Sequence, residues 1–200
     1  SFILFTLACL TLLTGCESTR RPALYLSHFN LKPPAVDDFD VCASSGCRDV
    51  STLSYTTNEW QSIRAVFEPA PTTAADERER IKITVAAMEQ VIGSKNNTAG
   101  DAPRNNRKLG TGAQLDCIAE AANTTVALLL FEKEGLLKHH RVGYPQHRGF
   151  MRLRLPHNTA SIYENETGAH YVVDSWFFKN GEPPVCVPVK EWKAGYDPED

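Results

Sequence analysis

The chain has 200 residues, of which 42% are hydrophobic and 22% are charged. This is enough apolar sequence for one domain with a continuous hydrophobic core. The formal net charge is −3 at pH 7 and no basic stripe runs along the chain, so the composition excludes a nucleic-acid-binding protein.

The N-terminal segment is apolar and ends in the sequence Leu13-Thr14-Gly15-Cys16. The stretch Phe2–Leu13 is shorter than the ~20 residues of a transmembrane helix and matches the hydrophobic part of an export signal. Its ending resembles the lipobox of bacterial lipoproteins, in which the cysteine is lipidated, and Glu17 does not match their inner-membrane retention signal. We expect a signal peptide over residues 1–15, followed by a lipid anchor on Cys16. A plain cleaved signal is the alternative.

The next segment, residues 16–50, is rich in proline, serine and aspartate. This composition predicts a tether and an irregular N-terminal segment, before a folded domain over residues 51–200. Cys42 and Cys47 enclose a short flexible loop that an exported chain can close with a disulfide. A zinc half-site is the alternative, but no second half-site is visible, so we expect no metal.

Two helices are predicted in the first half of the domain. Thr56 and Glu59 form a capping box before a short amphipathic helix. The second helix is expected over residues 74–92, with Gly93 at its C-terminal cap. Its buried face consists of Ile81, Val85, Met88 and Ile92, and its solvated face carries Glu79, Lys82 and Glu89.

The second half of the domain begins with a third helix and continues as strands. This helix follows a long polar loop over residues 94–112, begins at Asp116 or Cys117, and ends at Gly135. Its buried face is expected to hold Ile118, Ala121, Ala122, Thr125, Leu128 and Leu129. Strands are expected over residues 136–142, 150–155, 159–164 and 170–177, with a turn at 165–168. Helices followed by an antiparallel sheet predict an α+β fold.

Cys117, His157 and Asp174 are the candidate reactive residues. A thiol at the start of a helix gains from the positive end of the helix dipole. A histidine and a carboxylate on neighbouring strands complete the set that nucleophilic acyl transfer requires. A hairpin that pairs Glu164 with Thr167 also pairs His157 with Asp174, because the residue numbers of both pairs have the same sum. Their Cβ atoms would then be roughly 4.5–5.5 Å apart on one face of the sheet.

Several neighbours bear on the reactivity of Cys117. Backbone N–H groups at the helix start can form an oxyanion hole, to which Gln114 is the candidate side-chain donor. Asp116 would cap the helix, but its negative charge would oppose formation of a thiolate. Cys186 is expected to pack as a small apolar group; a disulfide between Cys117 and Cys186 is the alternative, and would remove the nucleophile.

Other histidines and aromatic residues receive structural interpretations. His170 lies four residues from Asp174 on one strand, roughly 13 Å away, so it is expected to face Ser161 at a rim rather than join the site. His139 and His140 are expected at the surface or at a helix cap. An aromatic group after the candidate triad is expected to pack in the core or cover a sheet edge, with a substrate wall as the alternative. This group comprises Trp176, Phe177, Phe178 and Trp192.

The segment from Gly112 to Asp174 resembles the core of the transglutaminase-like branch of papain-like cysteine enzymes. That pattern combines a glycine-containing loop, a cysteine that opens a leucine-rich helix ending at glycine, a histidine on one strand and an aspartate on the next. The matching residues are Gly112, Cys117, Leu128, Leu129, Leu130, Gly135, His157, Ala160, Tyr171, Val172, Val173 and Asp174. The chain departs from the pattern at Ile118 and Asn158, where the family often has aromatic residues.

The resemblance implies a papain/transglutaminase-like fold with a catalytic triad of Cys117, His157 and Asp174, in that chain order. It implies no cofactor and a protein or peptide substrate. With the lipobox, it predicts a membrane-anchored cysteine peptidase or acyl transferase in the bacterial cell envelope, on the periplasmic side of the outer membrane. The alternative is a non-catalytic envelope lipoprotein that uses the same fold as a binding module. A third interpretation is a metal-binding protein that uses Cys42, Cys47 and a histidine.

Overall fold

The computed structural model describes residues 21–105, 113–149 and 156–199. It has the α+β architecture that the sequence predicts, with helices and small antiparallel sheets. The helices are α1 (Pro22–Ser27), α2 (Thr57–Ala65), α3 (Ala74–Asn96), α4 (Cys117–Lys133) and α5 (Val189–Ala194). The strands are β1 (Phe39–Cys42), β2 (Val50–Leu53), β3 (His140–Arg148), β4 (His157–Glu164), β5 (His170–Asp174) and β6 (Val185–Pro188). The predicted signal peptide with Cys16, the glycine Gly112 on which part of the resemblance rests, and the strand predicted over 150–155 lie outside the described residues.

The main sheet is antiparallel and has the strand order β3-β4-β5-β6, so neighbours in sequence are neighbours in space. β1 and β2 form a separate antiparallel pair. α4 packs between the main sheet and β1, and the same hydrophobic core joins all three. α4 thus lies at the centre of the domain.

α4 is buried more widely than the predicted stripe. Almost every residue from Ala119 to Leu128 is excluded from solvent, whereas Ile118 and Leu129 are half-buried. A helix that is apolar on all sides is a core helix, and the uncharged stretch 121–131 already carries that pattern. The predicted ends are correct: Asp116 is the N-cap, and Gly135 follows the helix with a φ of 69°.

α2 and α3 begin as predicted. Both halves of the capping box between Thr56 and Glu59 are present. α3, however, continues past Gly93 to Asn96 and is capped by Asn97, which adopts a φ of 65°. Gly93 is buried where a Cβ atom would come within 2.9 Å of the Ala99 backbone, so glycine permits a close approach there rather than a cap.

The N-terminal segment is part of the folded domain from residue 22 onward, although its composition predicts a tether to residue 50. Phe39 and Val41 of β1 have no exposed surface and lie in the main core. Cys42 and Cys47 form a disulfide. The amide of Asn123 in α4 binds both the N–H and the C=O of Cys42, at 2.7 and 2.9 Å, and thereby fixes β1 against the helix.

Two further expectations are wrong. β3 begins at His140 rather than at residue 136, and His140 is buried instead of lying at the surface or at a cap. β5 ends at Asp174 instead of continuing to residue 177. Within the three described ranges, no helix combines the length and apolar character needed to cross a bilayer.

Candidate active site

Cys117 is the first residue of α4, and Asp116 fixes that end of the helix. Oδ1 of Asp116 accepts the N–H groups of Ile118 and Ala119, at 3.2 and 3.1 Å, as an N-cap side chain does. The same oxygen accepts the N–H of Gly46 at 2.8 Å. The disulfide-closed loop and α4 therefore share one anchor.

Cys117 is a free thiol and is half-buried. Its Sγ atom lies 3.8 Å from the carbonyl oxygen of Pro156, the residue that precedes His157. Cys186 is also free, so the alternative disulfide between the two is not formed. Burial raises the pKa of Cys186 to about 12, which is the behaviour of an inert packed thiol.

His157 and Asp174 contact each other directly. Nε2 of His157 lies 2.8 Å from Oδ2 of Asp174, and both residues are buried. A carboxylate only accepts hydrogen bonds, so Nε2 carries a proton and donates it to Asp174. Nδ1 is buried and has no hydrogen-bond partner among the described residues.

The strand register that brings these two residues together differs from the predicted one. β4 pairs with β5 through Tyr163 opposite His170, and the N–H of Glu164 donates to the carbonyl of Ala169. The predicted register paired Glu164 with Thr167 instead of Ala169, an error of two residues. Because side chains alternate with a period of two, an even error preserves the face. His157 and Asp174 are thus diagonal rather than directly opposite neighbours.

The charge state of His157 reflects its two neighbours. Burial lowers the pKa of His157, but the charge and hydrogen bond of Asp174, together with Cys117, outweigh that effect and raise the pKa to about 9. The thiol, the imidazole and the carboxylate are therefore one interacting set.

Aromatic rings enclose His157. The ring centroids of Trp176, Trp192 and Phe177 lie 4.4, 5.4 and 5.7 Å from that of the imidazole. Nε1 of Trp176 donates to the carbonyl of Asn105 at 2.9 Å, which attaches the preceding loop to the site. Three of the four members of the aromatic group therefore pack around the candidate base, a role that their sequence positions alone do not reveal.

Gln114 does not occupy the position of an oxyanion donor. Its Nε2 donates to the carbonyl of Gly100 and its Oε1 accepts the N–H of Ala102, so the amide holds the 100–102 turn. The N–H of Cys117 remains, because the first residue of a helix has no intrahelical acceptor. Among the described residues, the candidate oxyanion donor is therefore a backbone group at the positive end of α4.

Tyr25 of α1 is a site neighbour that sequence reasoning missed. Its ring meets the edge of the Tyr144 ring at 5.9 Å. Burial raises the pKa of Tyr25 above its usual range, and Cys117, Tyr144 and Asp116 add to that effect. The phenol is therefore a neutral group beside the thiol. No local sequence pattern predicts that Tyr25 lies beside Cys117, because Tyr25 belongs to the segment whose composition predicts a tether.

Three carboxyl groups lie in the interior beside the first turns of α4. Burial raises the pKa of Glu89 to about 7 and that of Asp101 to about 6, and it raises the pKa of Glu120 well above its ordinary value. Asp101 accepts the N–H of Leu115 at 2.7 Å, next to the N-cap. Glu89 was expected on a solvated face; its Oε1 is instead buried.

The other histidines stay outside the site. His170 pairs with Tyr163 rather than Ser161, and its ring stacks on Tyr163 at 3.8 Å. Burial, with smaller effects of Lys193 and Arg141, lowers the pKa of His170 to about 4. His139 approaches the carbonyl of Pro71 at 3.3 Å.

A metal centre receives no support from the geometry. Cys42 and Cys47 are bonded to each other and are not available as zinc ligands. Over residues 21–105, 113–149 and 156–199, no group of three or more histidine, cysteine, aspartate or glutamate side chains is arranged to hold a metal ion.

Comparison with protein-family models, curated proteins and solved structures finds no match to the chain.

Proposed function

We propose that this protein is a cysteine enzyme of the transglutaminase-like, papain-like class, which transfers or hydrolyses an acyl group at an amide. One observation carries the proposal. The imidazole of His157 is held through Nε2 by Asp174, and the thiol of Cys117, at the N-terminus of a buried helix, lies 3.8 Å from the carbonyl oxygen of Pro156, the residue next to His157. A nucleophile, a base and a group that orients the base are the parts that covalent acyl transfer needs.

The chemistry proceeds in two steps from these groups. The Cys117 thiolate attacks the amide carbonyl carbon and forms a C–S bond; the C–N bond then breaks as His157 gives its proton to the leaving amine. The product is a thioester on Cys117. Water that loses its proton to His157 then displaces the thiol and gives a carboxylic acid, whereas an amine gives a new amide.

The backbone at the start of α4 supports both steps. The N–H of Cys117 can donate to the oxygen of the tetrahedral intermediate, where negative charge develops. Asp116 holds the helix end rigid through its bonds to Ile118 and Ala119. A preorganised donor of this kind needs no rearrangement during the reaction.

The Leu-Thr-Gly-Cys sequence that ends at Cys16 supports a place for this activity in the bacterial cell envelope, with the protein lipid-anchored on the periplasmic side of the outer membrane. The substrate class is then a protein or a cell-wall peptide. A non-catalytic binding module is the second candidate. The Gln114 amide favours it, because that group serves the 100–102 turn and leaves the oxyanion site with one described donor.

The test is the pH dependence of Cys117 alkylation by iodoacetamide, in the form that begins after Cys16. We expect reaction well below pH 8 in the unsubstituted protein and its loss in His157→Ala, because the imidazolium stabilises the thiolate. His170→Ala is the matched control and should leave the profile unchanged. Reaction only near an ordinary thiol pKa of ~8.5, with no effect of His157→Ala, would favour the binding module.

A further inference from the structure

Asp174 has a second hydrogen-bond donor besides the candidate base. Nε1 of Trp192 lies 2.8 Å from Oδ2 of Asp174, the same oxygen that receives Nε2 of His157 at 2.8 Å. An indole N–H can only donate, so it fixes this oxygen as an acceptor. Two donors from different elements, α5 and β4, thus converge on one carboxylate oxygen.

Trp192 is itself held firmly. Its side chain is 0% exposed, and it packs with Val172 and Val189 behind the strand that carries Asp174. The guanidinium of Arg148 lies over its ring, 4.4 Å from the centroid, and Nη1 of Arg148 donates to its carbonyl oxygen. A donor with this support stays in place, whereas an aspartate side chain alone can rotate.

We propose that Trp192 is a positioning residue of the catalytic site, which holds Oδ2 of Asp174 so that this oxygen orients the imidazole of His157 toward Cys117. The inference rests on the proposed function. Trp192 acts through Asp174 and touches neither the substrate nor the thiol. Its indole packs 5.4 Å from the imidazole, so it also keeps water from the bond that it supports.

The first test is Trp192→Phe, which keeps an aromatic ring and removes the N–H. We expect alkylation of Cys117 at pH 7 to slow about tenfold, because the carboxylate loses one donor and the imidazole loses its fixed direction. We also expect the His157 pKa, followed by NMR, to rise above its value in the unsubstituted protein, since a carboxylate with one donor fewer attracts the imidazolium more strongly. Trp60→Phe is the matched control, because Trp60 of α2 is also buried but packs against Tyr55, away from the candidate site.

The second test is a double-mutant cycle between Trp192→Phe and Asp174→Ala. If Trp192 acts through Asp174, its substitution has no further effect on the alkylation rate once the carboxylate is gone. Additive effects of the two substitutions would overturn the proposal, because they would mean that Trp192 contributes only to packing. An alkylation profile of Trp192→Phe that coincides with that of Trp60→Phe would overturn it as well.

The third test needs no variant and holds even if Trp192→Phe does not fold. In the unsubstituted protein the indole N–H resonance of Trp192 should titrate with the midpoint of His157, near pH 9, because both groups share one oxygen. The indole resonance of Trp60 should not move. A Trp192 resonance that ignores this titration would contradict the proposal. These NMR readouts do not depend on turnover, so they remain decisive if Cys117 is not an activated thiol and the proposed function fails.

Discussion

Nδ1 of His140 lies 2.9 Å from Oε1 of Glu77, and both side chains are fully buried. Glu77 also accepts the backbone N–H groups of Lys138 and His139. A single carboxylate therefore ties the first turn of α3 to the start of β3, the edge strand that pairs with the His157 strand. His140, expected at the surface or at a cap, is a core residue because the Glu77 carboxylate provides a hydrogen-bond partner for its buried ring.

Glu77→Gln is expected to lower the free energy of unfolding by about 3 kcal/mol at pH 7, because the variant leaves His140 and two N–H groups with a weaker acceptor. Burial raises the pKa of Glu77, but hydrogen bonds from His140, Lys138 and His139 outweigh it and hold the pKa below its usual value. The Glu77 contribution is therefore present above the unfolded pKa of ~4.3 and is lost as the pH falls through the lower folded pKa.

Urea denaturation at pH 7 and at pH 3 measures this effect. The exposed Glu79, which pairs with Lys82 on the same helix, supplies the control, and Glu79→Gln should change the free energy of unfolding by less than about 0.5 kcal/mol. Equal losses for the two variants would refute the anchoring role of Glu77.

Asp174→Asn is expected to make His157 neutral at pH 7. Without the carboxylate charge, burial dominates and the His157 pKa falls from about 9 to below its ordinary ~6.5. In the unsubstituted protein the protonated ring adds stability that is fully present below the unfolded pKa of ~6.5 and is lost as the pH rises through about 9. NMR titration of the His157 ring protons measures the His157 pKa in the variant and in the unsubstituted protein. Asp37→Asn, at an exposed position, is the control, and an unshifted His157 pKa in Asp174→Asn would count against the assignment.

Glu89→Gln is expected to stabilise the protein at pH 8 by about 1–2 kcal/mol, because a buried carboxylate charge is replaced by a neutral amide. Since burial raises the folded pKa of Glu89 to about 7, the protonated form is the stabilised one. The stability of the unsubstituted protein should therefore fall as the pH rises from ~4.3 through about 7, and this slope should be smaller in the variant. Thermal denaturation over that range measures it, with Glu166→Gln in the hairpin turn as the control; an undiminished slope would show that Glu89 is not its source.

Gly143→Ala is expected to cost about 1–3 kcal/mol of stability, the usual effect of overpacking. A Cβ atom at this position would lie 2.5 Å from Oγ of Ser161 and 3.0 Å from the Tyr163 ring. Gly100→Ala is the matched control, because a Cβ atom added there would have no neighbour within 4 Å among the described residues. Chemical denaturation compares the two, and Ser161→Ala should restore part of the loss in the Gly143 variant. If the control is equally destabilised, the cost is one of backbone freedom rather than of contact.

Local chemistry explains what the sequence predicted well. The caps at Thr56 and Asp116 depend on side chains that bind N–H groups two or three residues away, so both caps can be recognised from a few neighbouring residues of the sequence. The face shared by His157 and Asp174 follows from strand parity. The exact register depends on the pairing of Glu164 with Ala169 at the turn, which composition does not determine.

Long-range contacts explain what the sequence did not reveal. Asn123 binds Cys42 across 81 residues, and Trp192 reaches Asp174 from a helix beyond β6. Glu89 has the spacing of a solvated residue, yet its carboxylate accepts the N–H of Gly181, 92 residues later. Such partners exist only once the chain has folded.

The anchor shared by Gly46 and Asp116 ties residues 21–53 to the rest of the domain. A fragment that starts at residue 51 would lack both the peptide group that Asp116 binds and the strand that Asn123 holds, so one side of α4 would be uncovered. Residues 21–53 are thus a structural complement of the rest. Supplied as a separate peptide with its disulfide formed, they should reassociate with such a fragment and restore its helix.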